Sequence, residues 1–170
     1  MIVKTNEVYL FWQTDSTLSN WRLGTPYVLN DLMFVTSEHG LMYEKAIMFD
    51  LDSVPEIFRM QNCHPRDVKK IGRGVANFNP EVWDEESIDA IVPHLIAKAE
   101  QNQSVMEELM STGNLIIAEA SPYDRVWGIG LRPDDPQALN SKKWIGENRL
   151  GKAWMRVRDY FNEQRSTTVV

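Results

Sequence analysis

Apolar residues along the chain fall into two rhythms. Aromatic and β-branched residues crowd "EVYLFW" (Glu7 to Trp12), predicting a strand, and "QTDSTLSNW" behind it reads as a polar loop. In "PYVLNDLMFVT" apolar arms flank Asn30-Asp31, a turn-forming pair, so Tyr27 to Leu29 and Met33 to Val35 are expected to form a hairpin. The period then changes. Leu41, Met42, Ala46, Met48 and Phe49 recur at helical spacing in "TSEHGLMYEKAIMFD", with Ser37 as the expected N-cap and Glu38 complementing the helix dipole. "SVPEIFRMQN" predicts a short helix with Pro55 in its first turn, and "HPRDVKKIG" a third helix closed by Gly72 at a C-cap.

From Asp84 to Thr112 the signal is helical throughout. The polar "QNQS" (Gln101 to Ser104) is expected to divide it, and Gly113 to end the second half. Pro93 either bends the first of these helices or marks where its regular part begins. "NLIIAEA" is the strongest strand signal in the chain; "DDPQALNSKKW" reads as a loop and "NRLGKAWMRVRDYFNEQ" as the last helix, with "RSTTVV" a frayed tail. No repeat or low-complexity linker interrupts the chain.

Composition narrows the class. At 170 residues, 43% apolar and 25% charged, the chain is expected to be one globular domain. Cys63 is the only cysteine, which excludes an intramolecular disulfide, suits a reducing compartment and leaves that thiol inert. Nothing reads as a secretory leader, and no apolar run approaches the roughly 18 residues of a membrane span, so no membrane association and a cytoplasmic location are expected. A net charge of −6 argues against broad phosphate neutralisation, so any nucleic-acid contact has to be local. Basic residues gather in "RDVKKIGRG" and in the last helix at Arg149, Lys152, Arg156 and Arg158, where they could hold a phosphate or simply face water.

Two stretches carry candidate chemistry. Glu38 and Lys45, seven residues apart, fall on one face of the first helix with Leu41 and Met42 between them. They are either a solvated edge or ionisable groups facing a cleft, where a partly buried lysine becomes a nucleophile and the glutamate moves protons. In "SPYDRVWGIG", Asp124 and Arg125 are either a surface ion pair or part of a pocket. There Trp127 offers a planar face, and Gly128 and Gly130 permit close approach of a ligand to the backbone. "GRG" is no dinucleotide fingerprint, His39, His64, His94 and Cys63 lack metal-ligand spacing, and no marked serine or cysteine nucleophile is present.

"TSEHGLMYEKAIMF", "LSNW", "VWDEE", "STGNLIIAEASPYDRVWGIGL" and "NRLGKAWMRVRD" occur in the order seen in the NADAR, or YbiA-like, proteins. The chain resembles that family from Leu10 to about Phe161. The resemblance implies a mainly helical α+β single domain over residues 1–164 with a small antiparallel sheet and a tail at 165–170. It also implies an N-glycosidase that detaches a ribose from an exocyclic amine of a nitrogen base, without metal or organic cofactor. Two substrate types go with it: ADP-ribose linked to guanine in DNA, RNA or nucleotide, and ribosylaminopyrimidine phosphates of riboflavin synthesis. The first is preferred, recognised mainly through the modification and with no obligate protein partner. A module that binds ADP-ribose or a nucleotide without cleaving it is the rival of another class.

Carried onto this chain, the resemblance implies Lys45 as a Schiff-base nucleophile with Glu38 shuttling protons, or direct displacement with Glu38 or Asp124 activating water. It implies Asn20 and Trp21 as pocket lining, Trp83 and Trp127 as stacking rings, and Asp124 as a partner of ribose or base. Arg73, and Asn148 with Arg149 at the start of the last helix, become phosphate ligands. One departure stands out. Relatives carry an aromatic residue where this chain has Gly40, which costs up to about 1 kcal/mol of helix propensity and is expected to widen the pocket toward a bulky ADP-ribosyl substrate.

Overall fold

The apolar run predicted at the N-terminus is a strand in the computed structural model, and all four of its residues, Val8–Phe11, are buried. The structure describes residues 1–59 and 62–167. In chain order the elements are β1 (Ile2–Lys4), β2 (Val8–Phe11), β3 (Tyr27–Leu29), β4 (Leu32–Phe34), α1 (Ser37–Phe49), α2 (Val54–Arg59), α3 (Pro65–Arg73), α4 (Pro80–Gln101), α5 (Gln103–Ser111), β5 (Ile116–Glu119) and α6 (Arg149–Thr167). They gather into two compact units, one of Met1–Ser19 with the chain from Gln103 onward, the other Asn20–Asn102.

In the first unit β2 lies between β1 and β5. β1 pairs with it antiparallel, Val3 opposite Leu10, and β5 pairs parallel, Leu10 opposite Ala118. The expected mainly helical α+β class with small sheets holds, and among the described residues two of the three strand pairs are antiparallel; β2/β5 is parallel. A parallel pair needs a long crossover, and the whole second unit lies between these strands in sequence. Val8, Leu10, Ala118, Ala120, Ile129 and Ala138 form a core around them. β1 escapes the sequence pattern because three residues, none buried, carry no periodicity.

Helix α6 packs on β5 through Gly151, where an added Cβ would strike the Ile117 carbonyl oxygen. A backbone oxygen cannot swing aside as a side chain can, so Gly151→Ala is expected to cost about 1–3 kcal/mol, read as a lower thermal midpoint with an unchanged unfolding slope in denaturant. Trp154 is fully buried, its indole donating to the Leu18 carbonyl at 2.7 Å. Arg158, expected as a surface cation, is buried and donates to Thr112 Oγ1 and the Leu115 carbonyl, both at 2.8 Å. The helix starts at Arg149 rather than Asn148 and continues through Thr167, so Arg165–Thr167 of the expected frayed tail are helical; residues 168–170 lie outside the described residues.

The second unit opens with the hairpin. Asn30 and Asp31 both have positive φ, 51° and 64°, the two-residue turn whose twist matches the strands. The turn closes directly onto Leu32, so the second arm is Leu32–Phe34 and begins one residue earlier than expected. Helix α1 packs on α2, α3 and α4. Its N-cap is Thr36, whose hydroxyl accepts from the His39 amide, and Ser37 is the first helical residue.

Gly72 does not close α3 either. It is buried inside the helix, where a Cβ would run into Met42 of α1, and Gly74 is the C-cap. Helix α4 begins four residues before Asp84, because Asn79 caps it through the Glu81 and Val82 amides and Pro80 suits a first turn. Pro93 lies in the middle of α4 with helix on both sides, and the break to α5 falls at Asn102, within the expected "QNQS". Met60 and Gln61 of the helix expected at "SVPEIFRMQN" lie outside the described residues.

Candidate active site

The second unit places three of the expected site residues, Asn20, Trp21 and Glu38, around the first turn of α1. Ser37 donates to Asn20 Oδ1 at 2.8 Å, and the Asn20 carbonyl accepts the Glu38 amide at 3.0 Å. Asn20 therefore fastens the start of α1, with both its side chain and its carbonyl engaged there. Glu38 is 3% exposed, and Trp21 Nε1 donates to its Oε2 at 3.2 Å. The Trp21 ring meets His64 edge-on at 5.5 Å and has Lys69 Nζ 6.0 Å from its centroid. Glu38 is thus a buried carboxylate at a helix N-terminus, oriented by an indole.

Seven residues on, α1 has risen about 10 Å and made nearly two turns, so Lys45 emerges on the face that carries Glu38. Its Nζ lies 3.9 Å from the centroid of Phe78 and 5.9 Å from that of Trp83. Phe49 completes this aromatic surround, 5.4 Å from Phe78 and 6.3 Å from Trp83. Burial, and after it the like charge of Arg73, hold the Lys45 ammonium below the ordinary lysine pKa. Trp83 is only 7% exposed, so most of its surface is already covered.

The Gly40 expectation is overturned. A side chain there would collide with the His94 ring and the Tyr27 hydroxyl, so the space is filled rather than vacated. His94 Nε2–H donates to Glu44 at 2.9 Å and its Nδ1 accepts from the Tyr27 hydroxyl at 3.0 Å, a tautomer assigned from these partners. Gly40 lets this buried network press against α1.

In the first unit, "DRVWGIG" is tied to the segment leading into α6. The carbonyls of Arg125, Val126, Trp127 and Gly128 accept from the amides of Glu147, Arg149, Leu150 and Asn148, and the Ile129 carbonyl accepts from those of Ile145 and Gly146. Asp124 Oδ1 accepts from the Val126 and Trp127 amides at 3.0 and 2.8 Å, so one oxygen of the expected catalytic carboxylate organises its own loop. Gly128 leaves no room for a Cβ between the Asp124 and Glu119 carbonyls; Gly130, at φ 72°, has Ile145 against it. Both glycines are closely approached by this chain's own backbone or side chains. Trp127 is 9% exposed and Arg125 is exposed.

The expected phosphate site at the start of α6 is occupied. The Arg149 and Leu150 amides are already bonded, the Arg149 guanidinium pairs with Glu147 at 2.7 Å, and Asn148 is 2% exposed with its side chain on β5. Of the basic residues in α6, Lys152 and Arg156 face water while Arg149 and Arg158 point inward. Among the described residues no group of three His, Cys, Asp or Glu side chains could hold a metal ion.

Residues 9–162 match the model of the NADAR domain. The chain belongs to the NADAR family. It is 38% identical over 127 residues to an N-glycosidase of Acanthamoeba polyphaga mimivirus, covering 74% of each chain. It is 25% identical over 163 residues to an N-glycosidase of Nostoc punctiforme, covering 94% of each. Protein irg-1 of Caenorhabditis elegans is 32% identical over 131 residues, 75% of this chain and 61% of that one. The NMR structure of E. coli YbiA superposes with a TM-score of 0.74 over 96% of this chain and 89% of that one, at 23% identity, so the fold is shared. This NADAR protein is an N-glycosidase, as its sequence led one to expect. None of its described helices is long and apolar enough to cross a membrane.

Two residues at this site went unnoticed in the sequence. Phe78, 40% exposed in the α3–α4 connection, contacts Lys45; an aromatic between asparagines in a loop was the available signal. Lys98 is fully buried in α4 with Nζ 3.4 Å from Ser37 Oγ, and its position in step with Ile91 and Leu95 marks it as inward-facing.

Proposed function

We propose that this N-glycosidase releases ADP-ribose from guanine through an imine on Lys45. The observation that carries the reading is the setting of Lys45. Its amine is packed among Phe78, Trp83 and Phe49, with its pKa lowered by burial and Arg73, on the helix face that bears the buried carboxylate Glu38. A lysine so placed supplies neutral amine at lower pH than a solvated one.

Glu38 protonates O4′ as the C1′–O4′ bond breaks and the base nitrogen's electron pair forms an iminium with C1′. The Lys45 amine adds to C1′ and passes a proton to the base nitrogen. The C1′–N bond then breaks, leaving guanine with its free amine and the sugar as an imine on Lys45. Water adds at C1′ and gives a proton back to Glu38; O4′ then recloses the ring, its proton passing to the Lys45 amine as the C1′–N bond breaks.

Support for a diphosphate-bearing sugar over a monophosphate comes from α3. Lys69 lies by the Trp21 ring and Arg73 by Lys45; four residues apart on α3, they leave from one helix face with Cβ atoms about 6 Å apart, and two such cations suit a diphosphate. The test is turnover of ADP-ribosylated guanosine and of ribosylaminopyrimidine phosphate side by side. The first is expected to be the better substrate, and the Lys69→Ala/Arg73→Ala pair to raise its KM by about ten- to a hundredfold, with little change in kcat when compared above the pH at which each protein's rate has finished rising. Preference for the pyrimidine substrate would reassign the specificity. Tight ADP-ribose binding with release of neither base would leave a binding module.

A further inference from the structure

The α3–α4 connection holds an exposed aromatic ring, Phe78, between two asparagines. The chain on both sides of it is fastened. Asn77, at φ 55°, donates from Nδ2 to the Phe49 carbonyl at 3.5 Å, and the Ala76 amide donates to Asp50 Oδ2 at 3.0 Å, so the connection is tied to the C-terminal end of α1. On the other side Asn79 caps α4. Phe78 is thereby presented to α1, and its ring face receives Lys45, whose Nζ stands over it at 3.9 Å from the centroid, while Phe49 meets the ring at 78°.

An ammonium over an aromatic face is attracted by the ring quadrupole, and a neutral amine is not. The attraction therefore belongs to one protonation state. It opposes the two influences on Lys45 already described, burial and the like charge of Arg73, both of which disfavour the ammonium. Among the described residues of the elements packed on α1, Arg73 of α3 is the charged group that bears on this amine, and the rings of Phe78 and Trp83 do not titrate. An apolar side chain that merely covered the amine would add to the effect of burial; an aromatic one seats the charge.

We propose that Phe78 is a positioning residue for the reaction: its ring face holds the Lys45 ammonium in the resting enzyme and lets the amine go once the proton has left. The role rests on the reading of Lys45 as the nucleophile. The unreactive form is then the one that is held, and the form that attacks carbon is the one that is free to move. Because the ring favours the ammonium, its removal should lower the Lys45 pKa further. A ring that only packs has the opposite signature, since water entering its place would return the pKa upward to that of a solvated lysine.

The experiment titrates protein carrying isotope-labelled lysine by NMR, without substrate, the Lys45 ε-carbon signal being assigned by its loss in Lys45→Arg. Phe78→Leu keeps apolar bulk without a π-face, and its Lys45 pKa is expected to lie about half a unit to one and a half units below that of wild type. Phe78→Tyr keeps the face and should keep the wild-type value. An unchanged or higher pKa in Phe78→Leu overturns the proposal. Should that variant not fold, wild type decides alone: the Lys45 ε-protons are expected upfield at low pH, where the ring current reaches them, and should return to the ordinary lysine position as the amine deprotonates. Ordinary positions throughout overturn it equally. Turnover of ADP-ribosylated guanosine separates this from the reading beneath it. At a pH below the rise, and relative to each protein's own maximal rate, Phe78→Leu is expected to exceed wild type by about three- to thirtyfold, the same shift read as a rate. If the pKa falls while the rate profile stays in place, the ring's hold on the ammonium stands and the nucleophile reading fails.

Discussion

Lys45→Ala is expected to lower kcat by roughly 10³-fold or more and to abolish the sugar adduct that borohydride fixes to the wild-type protein. The size of the effect follows from what the amine does: it supplies the covalent bond that divides one difficult cleavage into two easier steps. Lys45→Arg sharpens the test, since it keeps the positive charge beside Phe78 and Trp83 but cannot form an imine. If charge alone mattered, Lys45→Arg would be nearly active. Mass spectrometry of the trapped wild type is expected to place the sugar on Lys45. Full turnover by Lys45→Ala, with no adduct in wild type, would point to direct attack of water.

The same residue sets a pH dependence. Imine formation needs neutral amine, so the rate should rise with pH through the lowered Lys45 pKa. Burial is the larger cause of the lowering and Arg73 the second. Removing a like charge favours the ammonium, so Arg73→Ala is expected to move the rise to higher pH. A profile that stays in place would mean that Arg73 does not act on Lys45.

Glu38→Gln is expected to lower kcat by about 10²- to 10⁴-fold with little change in KM. Glutamine keeps the size and can still accept from Trp21 Nε1, so the loss isolates proton transfer from packing. Trp21→Phe removes the donor but keeps the ring against His64, and should give a smaller loss, about tenfold, because Glu38 is then less well oriented. Should Glu38→Gln stay active while Asp124→Asn does not, the proton would have to travel through the loop carboxylate instead.

How much of this the sequence revealed depends on the range over which each residue acts. The hairpin turn was legible because Asn30-Asp31 fixes its own geometry, and α1 because a 13-residue helix repeats its apolar face. Glu38 and Lys45 were legible for the same reason, since helical spacing alone puts them on one face. Asp124, Gly128, Gly130, Asn148 and Arg149 stand out in the sequence, but that they also hold the chain to itself does not. Asp124 braces amides 2 and 3 residues on and Asn148 reaches 29 and 31 residues back to β5, and in sequence residues so engaged resemble a ligand site. Gly40 misled in the same way, because a missing side chain reads as a void until His94 and Tyr27 are seen to fill it.

Asn148 has one more effect. With β2 on one side, β5 would expose its other row of peptide groups, yet the Asn148 side chain accepts the Glu119 amide at 3.2 Å and donates to the Ile117 carbonyl at 2.9 Å. The Asn148 carboxamide, with the Ile129 amide on the Glu119 carbonyl, stands in for the next strand and makes the sheet finite. Unsatisfied strand margins are where chains recruit one another into aggregates. This asparagine is therefore a safeguard of monodispersity, and Asn148→Ala should betray itself by turbidity on heating before it does so in any rate constant.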